Sequence, residues 1–282
     1  MGRVTVRRRV VRWRGDGPDA SRTERVDTLA AEEPLEVRRG TEVLTVTMRT
    51  PGDDLDLVAG WLVAEGLVRT TDDLVSASFC PGLDGDGHQT YNVVEVVLST
   101  GVGDAATRRR SNAVTTSACG VCGAASIGAV RVHSTHDVSA DPVQVPVDVL
   151  LSLPGRLRSA QKVFARTGGL HAAGLFTATG EPVCVREDVG RHNAVDKVVG
   201  WALREGRLPL RGHVLQVSGR ASFELVQKAA LAGLPVLSAV SAPSSLAVQV
   251  ADEVGLTLAG FVRPGGLNLY ARPERVPAPS GR

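Results

Sequence analysis

The sequence predicts an α/β protein: an α+β subdomain first, then a subdomain built on a largely parallel sheet with helices on its faces. Three observations carry this. From residue 172 onward, short apolar runs alternate with helical patterns, as βα crossovers require. Before residue 100, strand-like runs surround a single helical pattern. The chain has 282 residues with 43% hydrophobic and only 4% aromatic, enough for a real core built from Val, Leu and Ala. The expected division is residues 1–116, 117–146 and 147–282: the α+β unit with its polar loop, a cysteine-bearing loop with its linker, and the second subdomain.

In chain order, Val4 to Val11 alternates weakly with arginine and reads as a strand with one charged face. Arg3, Arg7, Arg8, Arg9, Arg12 and Arg14 crowd this start, either as a solvated edge that blocks aggregation or as a docking patch for an acidic partner. Leu35–Val37 and Val43–Met48 are strands turning at Arg39-Gly40, and Asp53-Asp54 precedes a helix over Leu55–Leu67. Leu74–Phe79 and Tyr91–Leu98 are strands around a Gly- and Asp-rich turn. Ser99 to Ser117 has no apolar period and predicts a long loop. After the proline-punctuated stretch Asp141–Pro146, a helix is expected from Val147 to about Thr167, kinked near Pro154-Gly155.

The second subdomain then reads as a hairpin, Ala172–Ala178 with Pro182–Arg186, followed by helix Asn193–Arg204 and strand Val214–Val217. Helix Ser222–Ala232, strand Val236–Val240, helix Ser244–Val254 and strand Leu256–Val262 complete the series. Formal net charge is +2, which argues against a general nucleic-acid coat. No apolar run approaches a membrane span, and no apolar region follows the basic start as a secretory signal would require. The expected setting is therefore a reduced cytoplasm.

Two of the four cysteines stand together, in Ser117-Ala118-Cys119-Gly120-Val121-Cys122-Gly123. Small neighbours leave a partner's sulfur room to approach. Structural zinc needs about four ligands, yet Cys80 and Cys184 are distant and no second Cys-x-x-Cys follows. Thioredoxin-type chemistry wants the pair at a helix start directly after a strand, and here a polar loop precedes it. A third reading is a nucleophilic thiol that accepts sulfur as a persulfide, its thiolate favoured by nearby Arg108-Arg109-Arg110. On the residues alone, the zinc-binding, dithiol redox and sulfur-carrying readings all stay open.

Three strand-to-helix junctions share one chemistry: Glu187 to Asn193, Val217 to Ser222 and Val240 to Ser245. Each sets Gly, Ser or Asn at a helix start, where free amides and the dipole favour an anion. In an open sheet they converge beyond the strands' carboxyl ends, and Arg191 and Arg220 supply forks suited to phosphate. Arg191, Ser218, Arg220 and Ser241 are therefore candidate binding residues. Asp188 beside His192 suggests either an acid/base or orienting pair or, equally, a helix-start carboxylate near the dipole, and His171 follows a double glycine. Neither a Walker sequence nor a Gly-x-Gly-x-x-Gly after a strand is present.

The Cys-x-x-Cys segment, Gly168-Gly169-Leu170-His171, the run from Glu187 to Lys197, Ser218 to Glu224, Ser241 to Ala247 and the Gly260-to-Tyr270 end stand in one order. Together they closely resemble the FdhD family of sulfur-carrier proteins required for formate dehydrogenase activity, over most of the chain from about Asp27. The resemblance implies that a cysteine desulfurase passes a persulfide to Cys119, with Cys122 assisting. The sulfur would then reach the molybdenum bis-molybdopterin guanine dinucleotide cofactor of formate dehydrogenase, for which GDP or a similar guanine nucleotide serves as a mimic. The implied cofactor segment is Phe261, Val262, Arg263, Pro264, Gly265 and Gly266. A homodimer and a cytidine-deaminase-like second subdomain are also implied. The deaminases' His-x-Glu and Pro-Cys-x-x-Cys are missing, so deamination is not. The alternative is a zinc-binding or dithiol redox regulator of formate dehydrogenase that transfers no sulfur.

Overall fold

The structure, a computed structural model of the chain, describes residues 3–82, 90–102 and 134–279. Cys119 and Cys122, the stretch Arg108-Arg109-Arg110 and most of the predicted Ser99–Ser117 loop lie outside the described residues. Strands β1 (Thr5–Arg14) and β2 (Ser21–Ala30) pair as a two-stranded antiparallel arm. Sequence patterning misses β2, because charged residues alternate on both of its faces and most of its side chains are exposed. Strands β3 (Glu33–Arg39), β4 (Glu42–Arg49), β5 (Leu74–Phe79) and β6 (Val93–Leu98) form a second sheet in the order β4-β3-β6-β5. Leu35, Val37, Val94 and Val96 turn inward at alternate positions and are buried.

Helix α1 (Asp54–Ala64) lies under that sheet and is buried on nearly every side. Its other neighbour is α4 (Arg191–Arg204), and the two cross at glycines. A Cβ built on Gly60 would stand 1.8 Å from the Asp196 carbonyl oxygen, and one on Gly200 would stand 1.8 Å from that of Asp56. Only glycine allows this approach. One hydrophobic core therefore runs from β3 and β6 through α1 and α4 into the second sheet, including Leu57, Leu62, Val198, Leu215 and Leu237.

The second sheet is six-stranded, ordered β12-β11-β10-β9-β7-β8. Its members are β7 (His171–Thr177), β8 (Pro182–Asp188), β9 (His213–Val217), β10 (Val236–Ala239), β11 (Thr257–Arg263) and β12 (Gly266–Ala271). The α/β class holds, but parallel pairing is confined to β9, β10 and β11. The hairpins β7–β8 and β11–β12, each closed by a short turn, reverse the chain and make the flanks antiparallel, as β7 also is to β9. Helices α4, α5 (Phe223–Leu231) and α6 (Ser245–Val254) belong to the face that carries the main core. Helix α2 (Val147–Ala160) covers the other face through Leu150, Leu153 and Leu157, packed with Phe176, Val214 and Val236.

The helix expected over Val147–Thr167 is two helices, and Pro154 sits inside the first. The break falls instead between α2 and α3 (Phe164–Thr167), where the Glu187 carboxylate accepts from Val163 N at 2.9 Å and Phe164 N at 2.7 Å. A carboxylate on β8 thus starts α3 at a place that no local signal marks. No described helix is long and apolar enough to cross a membrane.

Candidate functional site

Strands β8, β9, β10 and β11 run the same way, so their carboxyl ends meet at one edge of the sheet with the starts of α4, α5 and α6. All three predicted junctions lie along that edge. Strand β7 begins there too, which brings His171 beside Ser218. Ser218 Oγ accepts from Ala172 N at 2.8 Å and stands 3.4 Å from His171 Nδ1. Ser218 therefore already ties β9 to β7, its hydroxyl engaging both the Ala172 amide and the His171 ring.

Gly219 leaves the space between these groups. A Cβ on it would come within 3.4 Å of the His171 ring and 3.8 Å of Arg191 Cδ. Arg191 Nε is buried without a hydrogen-bond partner. Burial, with the Arg191 guanidinium next in weight, holds the His171 pKa below its ordinary value and so keeps the ring neutral at neutral pH. Arg220 is exposed at the same edge, and Ser241 O accepts from Phe261 N at 3.2 Å. The three junctions are thus brought to one edge.

The Phe261–Gly266 segment closes the edge. Phe261 holds a φ of 52° and is 41% exposed, a strained placement that keeps a large ring in solvent at the rim. Arg263, Pro264 and Gly265 are exposed, and Gly265 turns the hairpin at a φ of 90°. Val262 is buried in the core.

Of the two readings of Asp188, the helix-start carboxylate holds and the pair with His192 does not form. Asp188 is fully buried and instead takes Lys197 Nζ at 2.8 Å, Gly190 N at 2.8 Å, Asn193 Nδ2 at 3.0 Å and Thr50 N at 3.1 Å. It is the bolt that fastens the end of β4 to the site. His192 turns the other way, with Nε2 at 2.8 Å from Glu224 Oε2 and 3.1 Å from Ser222 Oγ. Burial works to raise the Glu224 carboxyl, but the bonds from His192 and Ser222 outweigh it and leave the pKa lowered.

Behind the edge opens a cavity of about 520 Å3, walled by the last turns of α2, by Phe164 and by the Gly168–His171 stretch, with Val189, Ser218 and Val240 opposite. Gln161, Arg158 and Phe164 belong to this wall and escaped sequence reading. Their signal is tertiary, since Glu187 alone sets where α3 begins.

The ends of the segment carrying Cys119 and Cys122 lie at the opposite edge. Before it, Thr71 Oγ1 donates to Leu203 O, at the far end of α4, and Asp73 O accepts from Ser99 N. After it, Ser134 Oγ donates to Ala230 O at the far end of α5, and Gly212 N, just ahead of β9, donates to Asp141. Arg275, buried, fixes this return by donating to the carbonyls of Val138, Ser139, Asp141 and Gly255.

Of the described cysteines, Cys184 is buried and its thiol is pushed up to about 12, chiefly by burial. At neutral pH it is neutral and unreactive. Alkylation of the folded protein with iodoacetamide, mapped by peptide mass, should label the partly exposed Cys80 and spare Cys184. Labelling of Cys184 as fast as Cys80 would contradict this environment.

Residues 30–277 match the model of the FdhD/NarQ family. The sulfur carrier protein FdhD of Nocardia farcinica is 55% identical over 275 residues, covering 98% of this chain and 96% of that one. That of Mycobacterium tuberculosis is 52% identical over 279 residues, covering 98% and 100%. That of Sulfurisphaera tokodaii is 43% identical over 253 residues, covering 89% and 92%. Among solved structures, a putative formate dehydrogenase accessory protein from Desulfotalea psychrophila superposes with a TM-score of 0.72 at 24% identity, over 98% of this chain and all of that one. That likeness is one of fold.

Proposed function

Since this chain belongs to the FdhD/NarQ family, we propose that it is a sulfur carrier serving formate dehydrogenase, with the molybdenum bis-molybdopterin guanine dinucleotide cofactor as the cargo it sulfurates. The observation that carries the cofactor half is the convergence of three helix starts, Arg191 with an unmet Nε, and Arg220 on one edge. That edge suits a pyrophosphate. Ser218 and Ser241 are the further contacts on this reading, with Phe261, Arg263, Pro264 and Gly265 as its rim.

For the sulfur half, the Cys119 thiolate attacks the terminal sulfur of a cysteine desulfurase persulfide. A new S–S bond forms on Cys119, the donor's S–S bond breaks, and the donor leaves as a thiolate. Cys122 assists by releasing or shielding the cargo. The described residues that flank the carrier segment lie across from the crevice. Helix α4 alone spans about 20 Å at 1.5 Å per residue. From Val102 to Cys119 the chain counts about 17 residues, roughly 55 Å when extended, so Cys119 has the reach for the crevice of its own subunit or of a second copy in a homodimer. The setting is a reducing cytoplasm, with neither nucleic acid nor membrane as partner.

The test is maturation of formate dehydrogenase in cells lacking their own carrier. Wild type should restore activity and Cys119→Ala should not, while Arg191→Ala should weaken GDP binding about tenfold or more, the value of a charge-assisted bond. Full formate dehydrogenase activity with Cys119→Ala would overturn the carrier role.

A further inference from the structure

We propose that the β1–β2 arm is a docking element for an acidic, partly apolar surface of the protein that receives the sulfur, formate dehydrogenase on the reading above. The identity of that protein rests on the carrier role. The chemistry of its surface rests on the arm alone.

Strand β1 carries Arg7, Arg8, Arg9, Arg12 and Arg14 and no acid, and none of the five has a carboxylate partner among the described residues. Residues opposite one another in an antiparallel pair share a face. Arg7, Arg9, Val11 and Trp13 therefore share one face, with Val26 across from Arg9 and Arg22 across from Trp13. The four β1 residues are all exposed, Trp13 at 62%, and Val26 is 58% exposed. Glu24, the acid on this face, is already taken by Arg22 at 3.2 Å. Arginines that only guard an open edge do not require Trp and Val in solvent between them. Arg beside Trp on one exposed face is instead the composition of an interface. A two-stranded ribbon is also marginal alone in water, so a protein that covers this face completes the arm.

The charge selects the occupant. Unpaired guanidiniums fit carboxylates, which a protein surface supplies at discrete points. A continuous polyanion fits less well, because Asp16 and Asp19 stand at the turn that ends the arm and Asp27 on its other face. The arm of a second copy fits least, since it would set one row of arginines against another.

The root of the arm decides which protein is held. Ala31 N donates to Val4 O at 2.9 Å, and Thr50 Oγ1 donates to Ala31 O at 3.0 Å. The same Thr50 oxygen accepts from Val189 N at 3.2 Å, and Thr50 N donates to Asp188. A Cβ on Gly169 would stand 3.8 Å from that of Ala30, and β2 runs against α3. The arm is thus rooted at the crevice edge, and its ten-residue strands give it a reach of roughly 33 Å at about 3.3 Å per residue. A protein held there stands beside the crevice proposed for the cofactor, which favours the sulfur acceptor over the donor.

The test measures binding of purified formate dehydrogenase to the immobilised full chain at low and at physiological salt. Wild type should bind, and more weakly as salt rises. Arg7→Glu with Arg9→Glu should lose about tenfold or more, and Trp13→Ala about tenfold, while both variants still take up sulfur on Cys119 from a cysteine desulfurase. If the charge-reversed arm fails to fold, Trp13→Ala carries the test. Equal binding by variants and wild type, or no binding by a wild type that takes up sulfur, overturns the docking role and leaves the carrier standing. A loss seen only with the desulfurase, duplex DNA or phosphatidylglycerol vesicles, run as parallel probes, overturns it as well. So does a changed oligomeric state by light scattering, which assigns the arm to a contact between copies. Arm-dependent binding by a wild type that takes up no sulfur keeps the docking and removes the carrier reading, and neither binding nor sulfur uptake removes both.

Discussion

Lys197→Met should cost the protein about 3–5 kcal/mol of stability, the range for breaking one side of a buried ion pair. Lys197 and Asp188 are 1% and 0% exposed, and their 2.8 Å contact is reinforced by donation from Lys197 Nζ to Thr50 O and Glu187 O. Methionine keeps the bulk and deletes the charge. The Asp188 carboxylate then stays buried with its amide donors but no cation. The damage falls on the crevice as well as on the fold, because the same carboxylate holds Gly190 and Asn193 at the start of α4. Urea unfolding measures it, and the double variant with Asp188→Asn should recover part of the loss. A single variant within about 0.5 kcal/mol of wild type, the size of an ordinary surface change, would mean that the pair contributes nothing.

Gly200→Ala should be comparably severe, at about 3 kcal/mol or more, near the upper end for overpacking. The added methyl would stand 1.8 Å from Asp56 O and 2.4 Å from Gly60 N, both backbone atoms of a helix packed on its other side. Neither can yield without parting α1 from α4, and that contact joins the two halves of the core. Gly155→Ala is the matched control. It lies in α2, a Cβ there meets nothing within 4 Å, and the change should be neutral or stabilise by up to about 1 kcal/mol. Thermal unfolding of the two variants side by side checks the contrast, and a Gly200→Ala protein as stable as Gly155→Ala would refute the close crossing.

Most of the second subdomain was legible because its periods are clean. Short runs such as Val214–Val217 are too short for helices, and Ser222 and Ser244 stand at the helix starts they suggest. The convergence of the three junctions was legible for the same reason, since topology alone sends parallel strands' carboxyl ends to one edge. What escaped reading depends on contacts across the chain. The α2–α3 break answers to Glu187 on β8, and Gln161 and Phe164 of the cavity wall sit at that break. Asp188 and His192 looked like partners from their spacing. The fold gives each a different one, Lys197 and Glu224, because the helix start turns their side chains apart. Strand β2 was hidden by its charges: an arm with no core beneath it has no apolar face to announce it.

The central claim is that Cys119 carries sulfur. Wild type and Cys119→Ala, each incubated with a cysteine desulfurase and cysteine and then measured by intact mass and peptide mapping, test it directly. The wild type should gain the mass of one sulfur atom on the peptide holding Cys119, labile to a thiol reductant, and Cys119→Ala should gain none there. A wild-type protein that takes up no sulfur, or a Cys119→Ala protein that takes up as much, would contradict it.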